Sequence, residues 1–86
     1  MQSAESSEID WYPRSLALQI LGISDKTLYL YAKGLKEALT PEEFDYQDGE
    51  WGFSRTSMKA LTKLVALRRQ GMSKKRALEK IKLEGV

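Results

Sequence analysis

The sequence has no cysteine and no histidine. Disulfides and thiolate metal sites are therefore excluded. Without either residue type, no nucleophile–base pair of the familiar kind can be assembled. No run approaches the roughly 18 apolar residues that a membrane span needs. No repeat occurs at a solenoid period. Between Glu37 and Ser54 there is no basic residue at all, while six carboxylates stand there. Three of these, Asp45, Asp48 and Glu50, alternate along the chain and resemble part of a metal site. Calcium loops, however, need more ligands held in a defined turn. No metal, no cofactor and no catalytic activity are expected.

The 86 residues suffice for one small domain with a modest core. Hydrophobic residues make up 42% and charged residues 30%, as in ordinary soluble chains. There is no room for a deep substrate cavity with a lid. The start, "MQSAESSEID", is polar and acidic, and reads as a flexible tail over 1–10 rather than a signal peptide. These features fit a cytoplasmic protein with no membrane partner.

The net charge of +2 conceals a strong polarity. Residues 1–54 hold four basic and ten acidic side chains, a balance of −6. Residues 55–86 hold ten basic and two acidic ones, a balance of +8. Such a split points to a polyanion-facing C-terminal half; the plainer alternative is a pair of solvated helix faces.

Along the chain, Trp11 and Tyr12 anchor the end of the tail, and Pro13 suits the start of a helix. Leu16, Ala17, Ile20 and Leu21 form its apolar stripe, and Gly22 ends it. Ser24 caps a second helix, and Asp25 complements its positive end. The short "GIS" link has helix-turn-helix spacing. The second helix is expected over 25–33, stopping at Gly34. At 100° per residue, Leu28, Tyr31, Ala32 and Leu35 share the core side. Lys26, Tyr29, Leu30 and Lys33 share the other, a combination suited to base edges and phosphates. Phe44, Tyr46, Trp51 and Phe53 alternate with polar residues around an Asp-Gly pair, which predicts a β-hairpin. Ser54 or Thr56 caps a third helix with Met58, Leu61, Leu64 and Val65 inward and Leu67 at the margin. Gly71 stops it, and Ser73 caps a fourth, with Ala77, Leu78 and Ile81 inward. The order is helix, helix, hairpin, helix, helix.

Over about residues 12–81 this order resembles the winged-helix DNA-binding domain of MerR-type regulators, which excisionase-like proteins share in part. The matching residues are the Gly-hydrophobic-Ser turn "GIS", then Thr27, Leu28 and Tyr31, then Gly34 and Leu35. They continue with the aromatic hairpin, with Leu61 and Leu64, and with the run "LRRQGMS". The resemblance implies a mainly α, winged helix-turn-helix fold over 11–86. It has four short helices, with a two-stranded β-hairpin wing between helices 2 and 3. It also implies that helix 25–33 enters the major groove of double-stranded DNA. Ser24, Lys26 and Thr27 would lie at its DNA-facing end, with Tyr29, Leu30 and Lys33 along it.

Lys26 stands where the family has arginine, so it keeps the charge but lacks the bidentate fork. Tyr29 stands at a second family arginine, and Ala32 at a glutamate. Leu30 suits a thymine methyl. Arg68, Arg69, Lys74, Lys75 and Arg76 form a basic corner that, by the resemblance, grips phosphate. Arg14 adds a contact at the start of the first helix.

The hairpin departs from the family: Gly49, Glu50 and Trp51 occupy a Gly-Tyr-Arg signature. A carboxylate-rich wing is repelled by phosphate. It either tilts away from DNA or meets a protein partner, and Trp51 either packs on the core or faces that partner. The functions implied are a small transcriptional regulator, an excisionase-like protein, or a nucleoid or plasmid-maintenance factor. The alternative is a protein-interaction module using the acidic wing and Trp51. MerR-type regulators dimerise through a long helix after this domain. The sequence stops after the fourth helix, so the expectation is a monomer in free solution that assembles, if at all, on DNA.

Overall fold

A computed structural model of the protein describes residues 11–46 and 52–86. The chain is mainly helical, with one two-stranded antiparallel sheet. Its elements are β1 (Trp11–Pro13), α1 (Arg14–Leu21), α2 (Asp25–Ala38), β2 (Gly52–Ser54), α3 (Arg55–Arg69) and α4 (Lys74–Glu84). The tail over 1–10 and the Asp-Gly turn with Trp51 lie outside the described residues. Among the described residues, no helix is long and apolar enough to cross a membrane.

Three serines start three helices in the same way. The hydroxyls of Ser24, Ser54 and Ser73 accept hydrogen bonds from the amides of Thr27, Ser57 and Arg76, at 3.1, 3.1 and 3.2 Å. Each bond satisfies an amide that the helix itself leaves unpaired. α1 ends at Gly22, in the left-handed region with φ 67°, and the Gly22 amide donates to the Leu18 carbonyl.

The core stripes follow the helical period. Leu28, Tyr31, Ala32 and Leu35 are buried on α2, and Met58, Leu61, Leu64, Val65 and Leu67 on α3. Ala77 and Ile81 are buried on α4, and Ala17 and Leu21 on α1. α3 packs against the other three helices and both strands, so it is the central element.

Three expectations are corrected. First, the sheet is not a local hairpin between α2 and α3. β2 pairs with β1, with Trp11 opposite Ser54, Tyr12 opposite Phe53 and Pro13 opposite Gly52. Residues 44–46 carry no strand. Their aromatics contribute side chains instead: Tyr46 stacks on Phe53 with ring centres 4.8 Å apart, and Phe44 is buried. The close approach of the strands leaves no room for a side chain at Gly52, where a Cβ would collide with the Tyr12 carbonyl.

Second, α2 does not stop at Gly34 but runs on to Ala38. A Cβ on Gly34 would lie 2.9 Å from Cδ1 of Leu78 on α4. Glycine is there for close helix approach, and burial of Leu35 and Leu39 offsets its poor helix propensity. Third, Ile20 is not in the core; it is 51% exposed.

Candidate nucleic-acid interface

The two sides of α2 differ sharply. The inward side is closed into the core. On the outward side, Lys26, Tyr29, Leu30 and Lys33 are all exposed, Tyr29 by 54% and Leu30 by 39%. Neither Lys26 nor Lys33 makes a hydrogen bond or ion pair with the described residues. A large aromatic and a leucine left in water between two unpaired ammonium groups form a surface with hydrogen-bond donors, positive charge and apolar contact area.

The start of α2 is more constrained. The Ser24 hydroxyl donates to Oγ1 of Thr27 at 2.9 Å while accepting the Thr27 amide. Both residues therefore shape the helix entry before they touch any ligand. Arg14 is not an open cation. Its Nε donates to Oδ1 of Asp25, pairing the first residue of α1 with the first of α2. That hydrogen bond raises the Arg14 pKa above its ordinary value.

The basic corner divides into two groups. Arg68 donates through Nε to the Tyr31 hydroxyl at 3.2 Å and through Nη1 to the Met72 carbonyl at 2.8 Å. Arg69 donates through Nη2 to the Leu21 carbonyl at 2.7 Å. Both arginines thus tie helices together. Arg68 links the end of α3 to the core side of α2 and to the turn before α4. Arg69 satisfies a carbonyl at the C-terminus of α1, where positive charge is favoured. Each guanidinium has five N–H donors, so donors remain for a ligand.

Lys74, Lys75 and Arg76 behave differently. They occupy the first turn of α4, and their side chains make no hydrogen bond or ion pair among the described residues. Three cations at the positive end of a helix are electrostatically unfavourable, and no first-turn acid relieves them. Through Arg68 the turn before them is tethered to Tyr31, so these cations are held in a fixed relation to α2.

Sequence reasoning missed Lys36 and Tyr46. Together with Tyr29, Lys33 and Glu37 they line a depression of about 410 Å³ beside the outward side of α2. Ending the helix at Gly34 removed Lys36 from view. Tyr46 had been assigned to a strand.

The acidic connection after α2 is partly engaged within the protein. Oε1 of Glu43 accepts from the Thr40 amide and hydroxyl, each at 3.2 Å. Oδ1 of Asp45 accepts from the hydroxyls of Ser54 and Ser57 at 2.6 and 2.7 Å. These two bonds, Ser54 first, hold the Asp45 carboxyl below the ordinary carboxylate range. Asp48, Glu50 and Trp51 lie outside the described residues. Among the described residues, no group of three acidic side chains could hold a metal ion.

No protein-family model, curated protein or solved structure matches the chain.

Proposed function

We propose that the protein binds double-stranded DNA as a winged helix-turn-helix domain of the MerR type. α2 lies in the major groove, and the start of α4 holds phosphates. The observation that carries this reading is the outward side of α2: Lys26 and Lys33, without partners among the described residues, flanking exposed Tyr29 and Leu30. A helix with such a side, entered from a three-residue turn, matches the docking geometry of helix-turn-helix readers. The unpaired cations Lys74, Lys75 and Arg76 give the second, sequence-independent contact. In this reading Arg68 and Arg69 position the clamp more than they form it. The carboxylates of the connection between α2 and β2 make no phosphate contact in this reading. The biological role is regulation of transcription or organisation of DNA, in the cytoplasm.

The test is a fluorescence-anisotropy titration of a labelled mixed-sequence duplex at several salt concentrations. Five unpaired cations, Lys26, Lys33, Lys74, Lys75 and Arg76, predict a slope of log K against log salt of about −4 to −5, at about −0.9 per phosphate. Lys26→Ala and Tyr29→Ala change which sequences are preferred, whereas Lys74→Glu with Lys75→Glu weakens binding to all sequences alike. An absence of binding even at low salt overturns the proposal and makes the acidic connection, with a protein partner, the leading surface.

A further inference from the structure

A second surface lies apart from the residues assigned to DNA. Tyr12 of β1, Ile20 of α1, and Met58 and Ala66 of α3 line an open groove of about 560 Å³. That volume is within the range, roughly 300–1,000 Å³, of sites that seat a small ligand or a few side chains. The groove accounts for Ile20, whose spacing along α1 marks it for the core but which stays half in water. Lys59 and Lys63 also line it, on the α3 side, and Arg55 sits at the first turn of the same helix. Lys63 donates to the Gly85 carbonyl at 2.8 Å and lies 3.8 Å from Glu84. Lys59 is exposed and has no partner among the described residues. The groove therefore has an apolar floor and a cationic edge, and it shares no residue with the outward side of α2 or with the start of α4.

We propose that this groove docks an acidic amphipathic helix of a partner protein. Apolar side chains spaced three and four apart on that helix fill the floor. Carboxylates flanking them meet Lys59 and Lys63. Charge decides against the other occupants. A second copy of this chain would bring two cationic edges, Lys59 and Lys63 of each copy, into one interface. DNA would find cations, but its phosphates would lose water over the apolar side chains of Ile20 and Met58. An acidic helix satisfies floor and edge together. The DNA-binding domain then serves as an adaptor, with one side on the duplex and another recruiting protein.

The test uses the full chain and two synthetic helices. Both have leucine at every third and fourth position; one is flanked by glutamate and the other by lysine. Binding is followed through the amide resonances of the protein by NMR. The glutamate helix shifts the amides of Ile20, Met58 and Ala66 saturably, and the lysine helix does not. Lys59→Glu weakens the interaction roughly fivefold, as expected for exposed charge pairs. Ile20→Asp removes it while thermal unfolding stays cooperative. The proposal fails if both helices bind equally, since apolar contact alone then accounts for the groove. It fails if neither binds. It fails if the same amides shift with protein concentration alone, which assigns the groove to self-association. It also fails if duplex DNA displaces the glutamate helix, which assigns the groove to the nucleic-acid surface.

Discussion

Two groups of cations lie within nine residues of each other, and they do opposite things. Arg68 and Arg69, at the end of α3, donate to Tyr31, Met72 and Leu21. The side chains of Lys74, Lys75 and Arg76, at the start of α4, donate to nothing among the described residues. The first group stands where a helix is negative, the second where it is positive. In sequence they read as one basic run. A charge at a helix C-terminus strengthens the fold and is used by it. The same charge at an N-terminus costs stability, and a bound anion would offset that cost.

The strongest way to break this comparison is to remove the tethers. Arg69→Ala is expected to lower stability by about 1.5–3 kcal/mol, the range for a hydrogen bond to a charged group. Arg68→Lys is expected to lose part of the same amount, because one ammonium cannot replace a guanidinium that holds Tyr31 and Met72 at once. Lys75→Ala is expected to leave the urea midpoint unchanged or to raise it slightly. Urea unfolding of the three variants decides the matter. If Lys75→Ala destabilises and the arginine variants do not, the two groups have been assigned the wrong way round.

Legibility in the sequence follows the same line between local and non-local physics. The serine caps, the left-handed Gly22 and the core stripes of α2 and α3 are local, and each was readable from spacing and residue type. The pairing of Trp11–Pro13 with Gly52–Ser54 joins segments some forty residues apart. Nothing in either three-residue strand announces its partner, so the aromatic alternation around Asp-Gly suggested a hairpin instead. Gly34 was misread for a related reason. A glycine stops a helix by default, but here Gly34 lies against Leu78 of α4, and packing of α2 overrides propensity. In the candidate interface, the outward residues of α2 were legible because the helical period alone assigns them. The tethers of Arg68 and Arg69 were not, since their acceptors lie on other elements.

Acidic side chains offer a second, smaller form of the comparison. Glu42 and Asp45 are both exposed, but Asp45 accepts from Ser54 and Ser57, whereas Glu42 makes no hydrogen bond or ion pair with the described residues. Ser57 is the buried polar side chain of the described core. Asp45→Ala leaves its hydroxyl without that acceptor and is expected to cost about 1–2 kcal/mol. Glu42→Ala is expected to cost almost nothing. The pH dependence has a definite sign. Because the folded carboxyl titrates below its unfolded value, its contribution is present above the ordinary carboxylate range. It is lost as the pH falls through the lower, folded value. Acid unfolding of the wild type and of Asp45→Ala should therefore converge at low pH and diverge toward neutrality. Curves that stay parallel throughout would show that the carboxylate does not hold the start of α3.

The smallest effect separates stability from binding most cleanly. Lys74→Glu with Lys75→Glu places two carboxylates in the first turn of α4, where the helix favours them. Each is expected to add about 0.3–1 kcal/mol to stability at low salt. The same pair of changes turns the two proposed phosphate contacts into two repulsions, so the slope of log K against log salt should become shallower by about 1.8. A variant that folds better and binds DNA worse would identify the start of α4 as a surface kept unfavourable for the sake of its ligand. A variant that loses stability would mean that the lysines support the fold through contacts of their stems, and the clamp would then have to be sought on α2 alone. Measuring thermal unfolding and duplex affinity on one preparation separates these outcomes, because the two expected changes have opposite signs and a misfolded protein cannot produce the first.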